Sequence, residues 1–164
     1  MIDILILYIL SKYDATIYKI RKLIEEKFFM FSSPSLGTIN PALKRLESLS
    51  CVEFESKMSD GGMLSKTYKI TAFGQKYLKN AITSFEFGNK SSVLNNASIL
   101  ICVCDILDEN EKDELYKNCL NNIMLLKADI NDALQNPYNM YTEAQINAIK
   151  ANLVSAENLI EVIK

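Results

Sequence analysis

The 164-residue sequence predicts a mainly α-helical protein with a small two-stranded antiparallel ribbon, namely a winged helix-turn-helix followed by a C-terminal helical dimerisation domain. Three observations carry this expectation. Residues 33–47 form a Pro-Ser start followed by apolar residues at helical spacing, with Thr38, Asn40, Lys44 and Arg45 on the other faces. From Val52 the pattern switches to strict alternation on either side of Asp60-Gly61-Gly62, a strong turn signal. Beyond residue 92 the pattern is helical to the end. The boundaries expected are a DNA-binding domain at 1–83, a linker at 84–92 that contains Gly88, Asn89 and three serines, and the helical domain at 92–164.

The elements follow in order. Residues 2–10 are apolar at nearly every position, as a buried first helix requires. Asp14 is placed to cap a second helix whose stripe is Ile17, Ile20, Leu23, Ile24 and Phe28, and residues 28–31, Phe-Phe-Met-Phe, are expected to close the core. Ser33 and Ser35 beside Pro34 start the third helix, near 35–49, with the seam Leu36, Ile39, Leu43 and Leu46. Pro41 lies well inside that helix, which normally costs several kcal/mol, and a place in the first turn, where a missing N–H has no partner to lose, would make it tolerable. The wing, near 52–70, sets Val52, Phe54 and Ser56 on one face and Tyr68 and Ile70 on the returning strand. Thr71 then caps a fourth helix.

In the second half, residues 97–107 are the most apolar stretch but are interrupted by Ser98 and Asp105 and are too short to cross a bilayer, so they read as core. Asp108 with Glu111, and Thr142 with Gln145, are capping-box starts of two long helices separated by Asn136-Pro137-Tyr138-Asn139. Their apolar positions alternate three- and four-residue steps: Tyr116, Cys119, Ile123, Leu126, Ile130 and Ala133, then Ile146, Ile149, Leu153, Ala156, Ile160 and Ile163. Such stripes serve packing within a bundle or between two chains. The second stripe is the expected dimer surface, because a single small winged helix reads DNA with a twofold partner.

Composition excludes several classes. There is no histidine, the four cysteines form no C-x-x-C pair, and no glycine-rich phosphate loop or G-x-S-x-G elbow is present, so no catalytic site, metal or cofactor is expected. The cysteines read as buried small residues of a cytoplasmic protein, with redox sensing at Cys102 or Cys104 as the rival reading. Net charge is −2, yet residues 1–80 carry +4 and the remainder −6. A basic half joined to an acidic one suits a DNA-contacting domain with a partner-facing one.

Taken together, Tyr18, the run Pro34-Ser35-Leu36-Gly37-Thr38-Ile39, the run Pro41-Ala42-Leu43-Lys44-Arg45-Leu46-Glu47, Gly61-Gly62, Tyr68 and the Thr-x-x-Gly at Thr71 and Gly74 resemble the PadR family of bacterial transcriptional regulators. The resemblance covers roughly the first 80 residues. It implies a homodimeric repressor with a helical dimerisation domain, in some relatives responsive to planar drugs or phenolics. Asn40 stands where the family carries tyrosine, Ile17 where glycine commonly precedes Tyr18, and Ser50 where a glycine follows the recognition helix. The wing tip has Met63, Leu64 and Ser65 in place of Arg or Lys, leaving Lys66 as its main charge.

The DNA-binding candidates are therefore Tyr18, Ser35, Thr38, Asn40, Lys44, Arg45 and Lys66. Each also has a plainer reading. Ser35 and Thr38 either cap the helix or hold a phosphate, Lys44 and Arg45 either contact phosphates or solvate a face, and Tyr18 is a core aromatic unless it touches the DNA backbone. A small apolar effector is expected among Phe85, Phe87, Tyr116, Met124, Met140 and Tyr141 if those residues are not ordinary packing. The rival to DNA binding is a winged helix used as a protein-interaction module. Clustering of Lys19, Lys22, Lys44, Arg45 and Lys66 on the recognition-helix face discriminates against it.

Overall fold

The computed structural model describes residues 1–58 and 64–163. Two compact units divide the chain, residues 1–82 and residues 83–164.

In the first unit, α1 (Ile2–Lys12) is buried on nearly all sides through Ile4, Leu5, Ile6, Leu7, Ile9 and Leu10. It is the central rod on which α2 (Ile17–Phe28) and α3 (Leu36–Ser48) pack. The apolar stripe of α2 is buried at Ile20, Leu23, Ile24 and Phe28, and its N-cap is Thr16, whose hydroxyl accepts from the Lys19 amide at 3.3 Å. Asp14 is not the cap; its carboxylate lies 3.7 Å from Lys69 Nζ. The cap moves because Ala15–Thr16 forms a short strand, β1, which leaves Thr16 as the last extended residue before the helix. At the end of α2, Phe28 is buried in the core, edge-on to Tyr8 at 5.9 Å; of the three residues that follow, Phe31 is half-buried and Phe29 and Met30 are exposed.

The ribbon is β2 (Val52–Met58) against β3 (Leu64–Ile70), paired antiparallel from Val52 with Ile70 to Met58 with Leu64. The Asp60-Gly61-Gly62 turn lies outside the described residues. The sheet is three-stranded, in the order β1-β3-β2, because Ala15 and Thr16 pair with Tyr68 and Thr67. A two-residue strand has no periodicity for a sequence to display, which is why only two strands were legible.

The corner between α3 and the ribbon is tightly specified. The Ser50 amide donates to the Glu47 carbonyl and the Cys51 amide to the Leu46 carbonyl, both at 2.9 Å, the Schellman pattern that ends a helix. Ser50 takes the left-handed conformation that this pattern requires, with φ 57°. The Thr71 hydroxyl donates to the Ser50 carbonyl at 2.7 Å and accepts from the Gly74 amide at 2.9 Å, capping α4 (Ala72–Thr83) and fastening it to the corner. A Cβ at Gly74 would stand 2.0 Å from the Cys51 carbonyl oxygen. The Thr-x-x-Gly signature is thus a packing requirement.

The second unit contains α5 (Val93–Cys102), α6 (Glu109–Gln135) and α7 (Glu143–Ile163), with α7 packed on α6 and α5. Both capping boxes form with reciprocal bonds, Asp108 with Glu111 and Thr142 with Gln145. Lys127 Nζ and Glu157 Oε1, 2.7 Å apart, tie α6 to α7. Within the α7 stripe, Ala156, Ile160 and Ile163 are buried inside this single chain and Ile146, Ile149 and Leu153 are half-buried. The stripe expected to face a partner is therefore largely occupied by the chain's own helices. The large apolar residues of α6 and α7 left exposed are Met124, Leu125, Val154 and Val162.

Candidate nucleic-acid interface

The outward face of α3 follows from its buried one. Ile39, Ala42, Leu43 and Leu46 pack inward. At 3.6 residues per turn, the line opposite them runs through Gly37, Pro41, Lys44 and Ser48, all exposed. Asn40 lies on one flank of that line, with Thr38 and Arg45 on the other. Of these seven residues, Thr38, Asn40, Lys44 and Arg45 are among the DNA-binding candidates of the sequence, and Gly37, Pro41 and Ser48 are not, although a wheel drawn from the apolar seam locates them.

Pro41 is the sixth residue of α3 and so lies beyond the first turn. It has no N–H to donate to the Gly37 carbonyl, a defect of about 3 kcal/mol in a helix interior. Full burial of Ile39, Leu43 and Leu46 contributes about 1.5–3 kcal/mol each, which outweighs it. Ser35 is the N-cap, its Oγ accepting from the Thr38 amide at 3.2 Å and lying 3.2 Å from the Thr38 hydroxyl. Both hydroxyls remain exposed at the start of the helix, where the positive end of the helix dipole favours anions.

The basic residues differ in how they are used. Arg45 places Nε 3.1 Å from Asp3 Oδ2 and Nη2 on Asp3 Oδ1, a two-pronged bond from α3 to α1. The Asp3 carboxylate raises the guanidinium pKa above its ordinary value, first by hydrogen bonding and then by charge. The Lys44 ammonium is exposed and has no ion pair recorded among the described residues. Lys66 Nζ sits 3.6 Å from the centre of the Phe54 ring, a cation–π contact that leaves its charge exposed. Lys69, by contrast, is 2.7 Å from Glu55.

Tyr18 is the second residue of α2 and 70% exposed, which removes the core-aromatic reading. Lys19 beside it is exposed, and Lys22 lies 3.6 Å from Glu26. The structure thus places Tyr18 and Lys19 at the start of α2, and Ser35, Thr38, Asn40, Lys44 and Arg45 along α3. Lys66 stands apart on the ribbon. Asp3 could not be found by sequence reasoning, since its contact with Arg45 spans 42 residues.

The residues expected to line an effector site take different surroundings. Phe85 and Phe87 stack edge-on at 5.3 Å, the Tyr116 hydroxyl lies 3.5 Å from Cys104 Sγ, and Met140 is 97% exposed. Met124 lines a groove of about 440 Å³ with Leu120, Lys127, Glu157 and Ile160. Cys102 is exposed, Cys104 half-buried, and Cys51 and Cys119 buried. Burial pushes the Cys119 thiol up to about 12, with the Cys104 charge a lesser cause. Among the described residues no group of three or more His, Cys, Asp or Glu is placed to hold a metal, and no helix is long and apolar enough to cross a membrane.

Helix, short strand, two helices, a two-stranded ribbon and a closing helix, in that order and with an exposed third helix, define a winged helix-turn-helix. The profile of the transcriptional regulator PadR-like family matches residues 6–80. A PadR family transcription regulator from hypervirulent Clostridium difficile is 33% identical over 56% of this chain and 93% of its own, with a TM-score of 0.45. A PadR-like transcriptional regulator from Bacillus cereus is 31% identical over 57% of this chain and 87% of its own, with a TM-score of 0.43. The PadR of Bacillus subtilis, solved in complex with operator DNA, is 16% identical over 99% of this chain and 98% of its own, with a TM-score of 0.47. No curated protein matches the sequence. The chain belongs to the PadR-like family of transcriptional regulators.

Proposed function

We propose that this regulator is a homodimeric repressor that reads a pseudo-palindromic operator with the outward face of α3 in the major groove and the ribbon alongside. The observation that carries the reading is the composition of that face. An exposed line with Lys44, which has no ion pair among the described residues, flanked by Asn40 and by the Ser35 and Thr38 hydroxyls, offers phosphate contacts beside a side chain able to bond two atoms of an adenine edge. Tyr18 and Lys19 at the start of α2 are the candidates for flanking phosphates, and Lys66 for the ribbon's contact.

Dimerisation through the second unit is supported by Met124, Leu125, Val154 and Val162, exposed on α6 and α7. Selection from random duplexes with the full chain tests the proposal. An inverted repeat, with half-sites about one helical turn apart, is the expected product, and no enrichment over input refutes it. A protein-interaction role without specific DNA binding then takes its place, a role favoured by the pairing of Arg45 and Lys69 with carboxylates. The groove beside Met124 supports a small apolar effector as inducer, tested by ligand titration against the selected operator.

A further inference from the structure

We infer that Asp3 is a positioning residue for the reading helix, and that Arg45, held in its grip, orients α3 on α1 and is not one of the phosphate contacts. The inference rests on the DNA-reading function proposed above and deepens it. Arg45 is bound through Nε and Nη2 to both oxygens of one carboxylate, the same planar fork with which an arginine grips a phosphate. That edge of the guanidinium is thus already occupied.

Two features make the pair a positional device. Elsewhere α1 and α3 pack with buried aliphatic side chains, Leu5 on α1 and Leu43 and Leu46 on α3 among them, which resist separation but leave small rotations about the helix axis open. A bidentate bond between side chains 42 residues apart adds direction: on the outward face that the buried seam selects, it sets the finer rotation of α3, and so the angle at which Asn40 and Lys44 are presented. The Asp3 side chain is only 22% exposed, against 51% for Arg45. Release of Arg45 to a phosphate would leave a largely covered carboxylate without the arginine that compensates it, a costly exchange for a single backbone contact. Lys44, one residue away and unpaired among the described residues, is the phosphate contact in its place.

The test measures operator and non-specific duplex binding as a function of salt for the full chain and for Arg45→Ala, Asp3→Asn and the double variant. Arg45→Ala is expected to leave the slope of log K against log salt unchanged, while lowering the preference for operator over non-specific DNA by about tenfold. Asp3→Asn is expected to do the same, and the double variant to lose no more than either single one. The charge-reversed pair Asp3→Arg with Arg45→Asp, which restores the link, recovers most of the preference. A slope shallower by about one in Arg45→Ala, or tighter binding and a steeper slope in Asp3→Asn, overturns the inference. Wild-type protein that prefers no duplex sequence overturns the DNA-reading function as well, so the two failures are distinct.

Discussion

Replacing Gly74 with alanine adds one methyl group at the corner where α3, the ribbon and α4 meet. The new Cβ would stand 2.0 Å from the Cys51 carbonyl oxygen and 2.9 Å from Ile70 Cγ1. Ordinary contact begins near 3.4 Å, so α4 and the Cys51 backbone must separate by about 1.4 Å. The carbonyl cannot yield cheaply, because it accepts from the Thr71 amide at 3.0 Å and from the Thr71 hydroxyl at 3.2 Å. Moving α4 instead drags on the Gly74 amide bond to that hydroxyl and on the buried Leu78 and Ile82. Overpacking of this kind costs about 1–3 kcal/mol when side chains can rearrange, and a backbone obstacle places Gly74→Ala at the upper end, about 3 kcal/mol. That loss is partly offset by the better helix propensity of alanine, about 1 kcal/mol, which leaves a net destabilisation of about 2 kcal/mol. Urea unfolding followed by far-ultraviolet circular dichroism measures it, since the chain has no tryptophan. An unchanged midpoint would show that the corner is soft, and the account of the Thr-x-x-Gly signature would fall.

The neighbouring Ser50→Gly works in the opposite direction: φ of 57° strains a serine, while glycine also loosens the unfolded chain, so a net stabilisation of about 0.5–1 kcal/mol is expected in the same urea experiment. Lys44→Ala should weaken binding to every duplex alike and lower the salt slope by about one, read by fluorescence anisotropy at several salt concentrations. The Cys119 thiol, buried and held near 12 in the fold against 9.0 for an ordinary cysteine, should resist iodoacetamide at pH 8, while Cys102, which desolvation also raises but which is exposed, reacts faster. Because the folded state keeps that proton longer than the unfolded state, Cys119 takes stability away as pH rises from about 9 towards 12, and the urea midpoint should fall over that window.

What could be read in the sequence was what repeats or caps. The 3.6-residue stripes of α2 and α3, the alternation of the ribbon and the capping boxes at Asp108 and Thr142 are local patterns, and each appears as an element with the expected bonds. Short or long-range features were hidden. The strand at Ala15–Thr16 exists only through its pairing with β3, and it displaced the cap of α2 from Asp14 to Thr16. The Asp3–Arg45 pair joins residues 42 apart and changes the reading of a basic residue that local pattern marks as a phosphate contact. Pro41 sits deeper in α3 than its tolerance suggests, because burial of the helix outweighs one lost hydrogen bond. The heptad stripe of α7 is a true packing stripe, but sequence could not tell packing within the chain from packing between chains.

The central claim is that the outward face of α3 reads bases, and Asn40, on its flank, is the side chain best suited to do so. The most direct test compares the complete sequence preference of the wild-type chain with that of Asn40→Ala on the same duplex library. The account predicts that preference relaxes at one base pair in each half-site, by about 1–3 kcal/mol, with the salt slope unchanged. A uniform weakening across all sequences, or an unaltered profile, would contradict it.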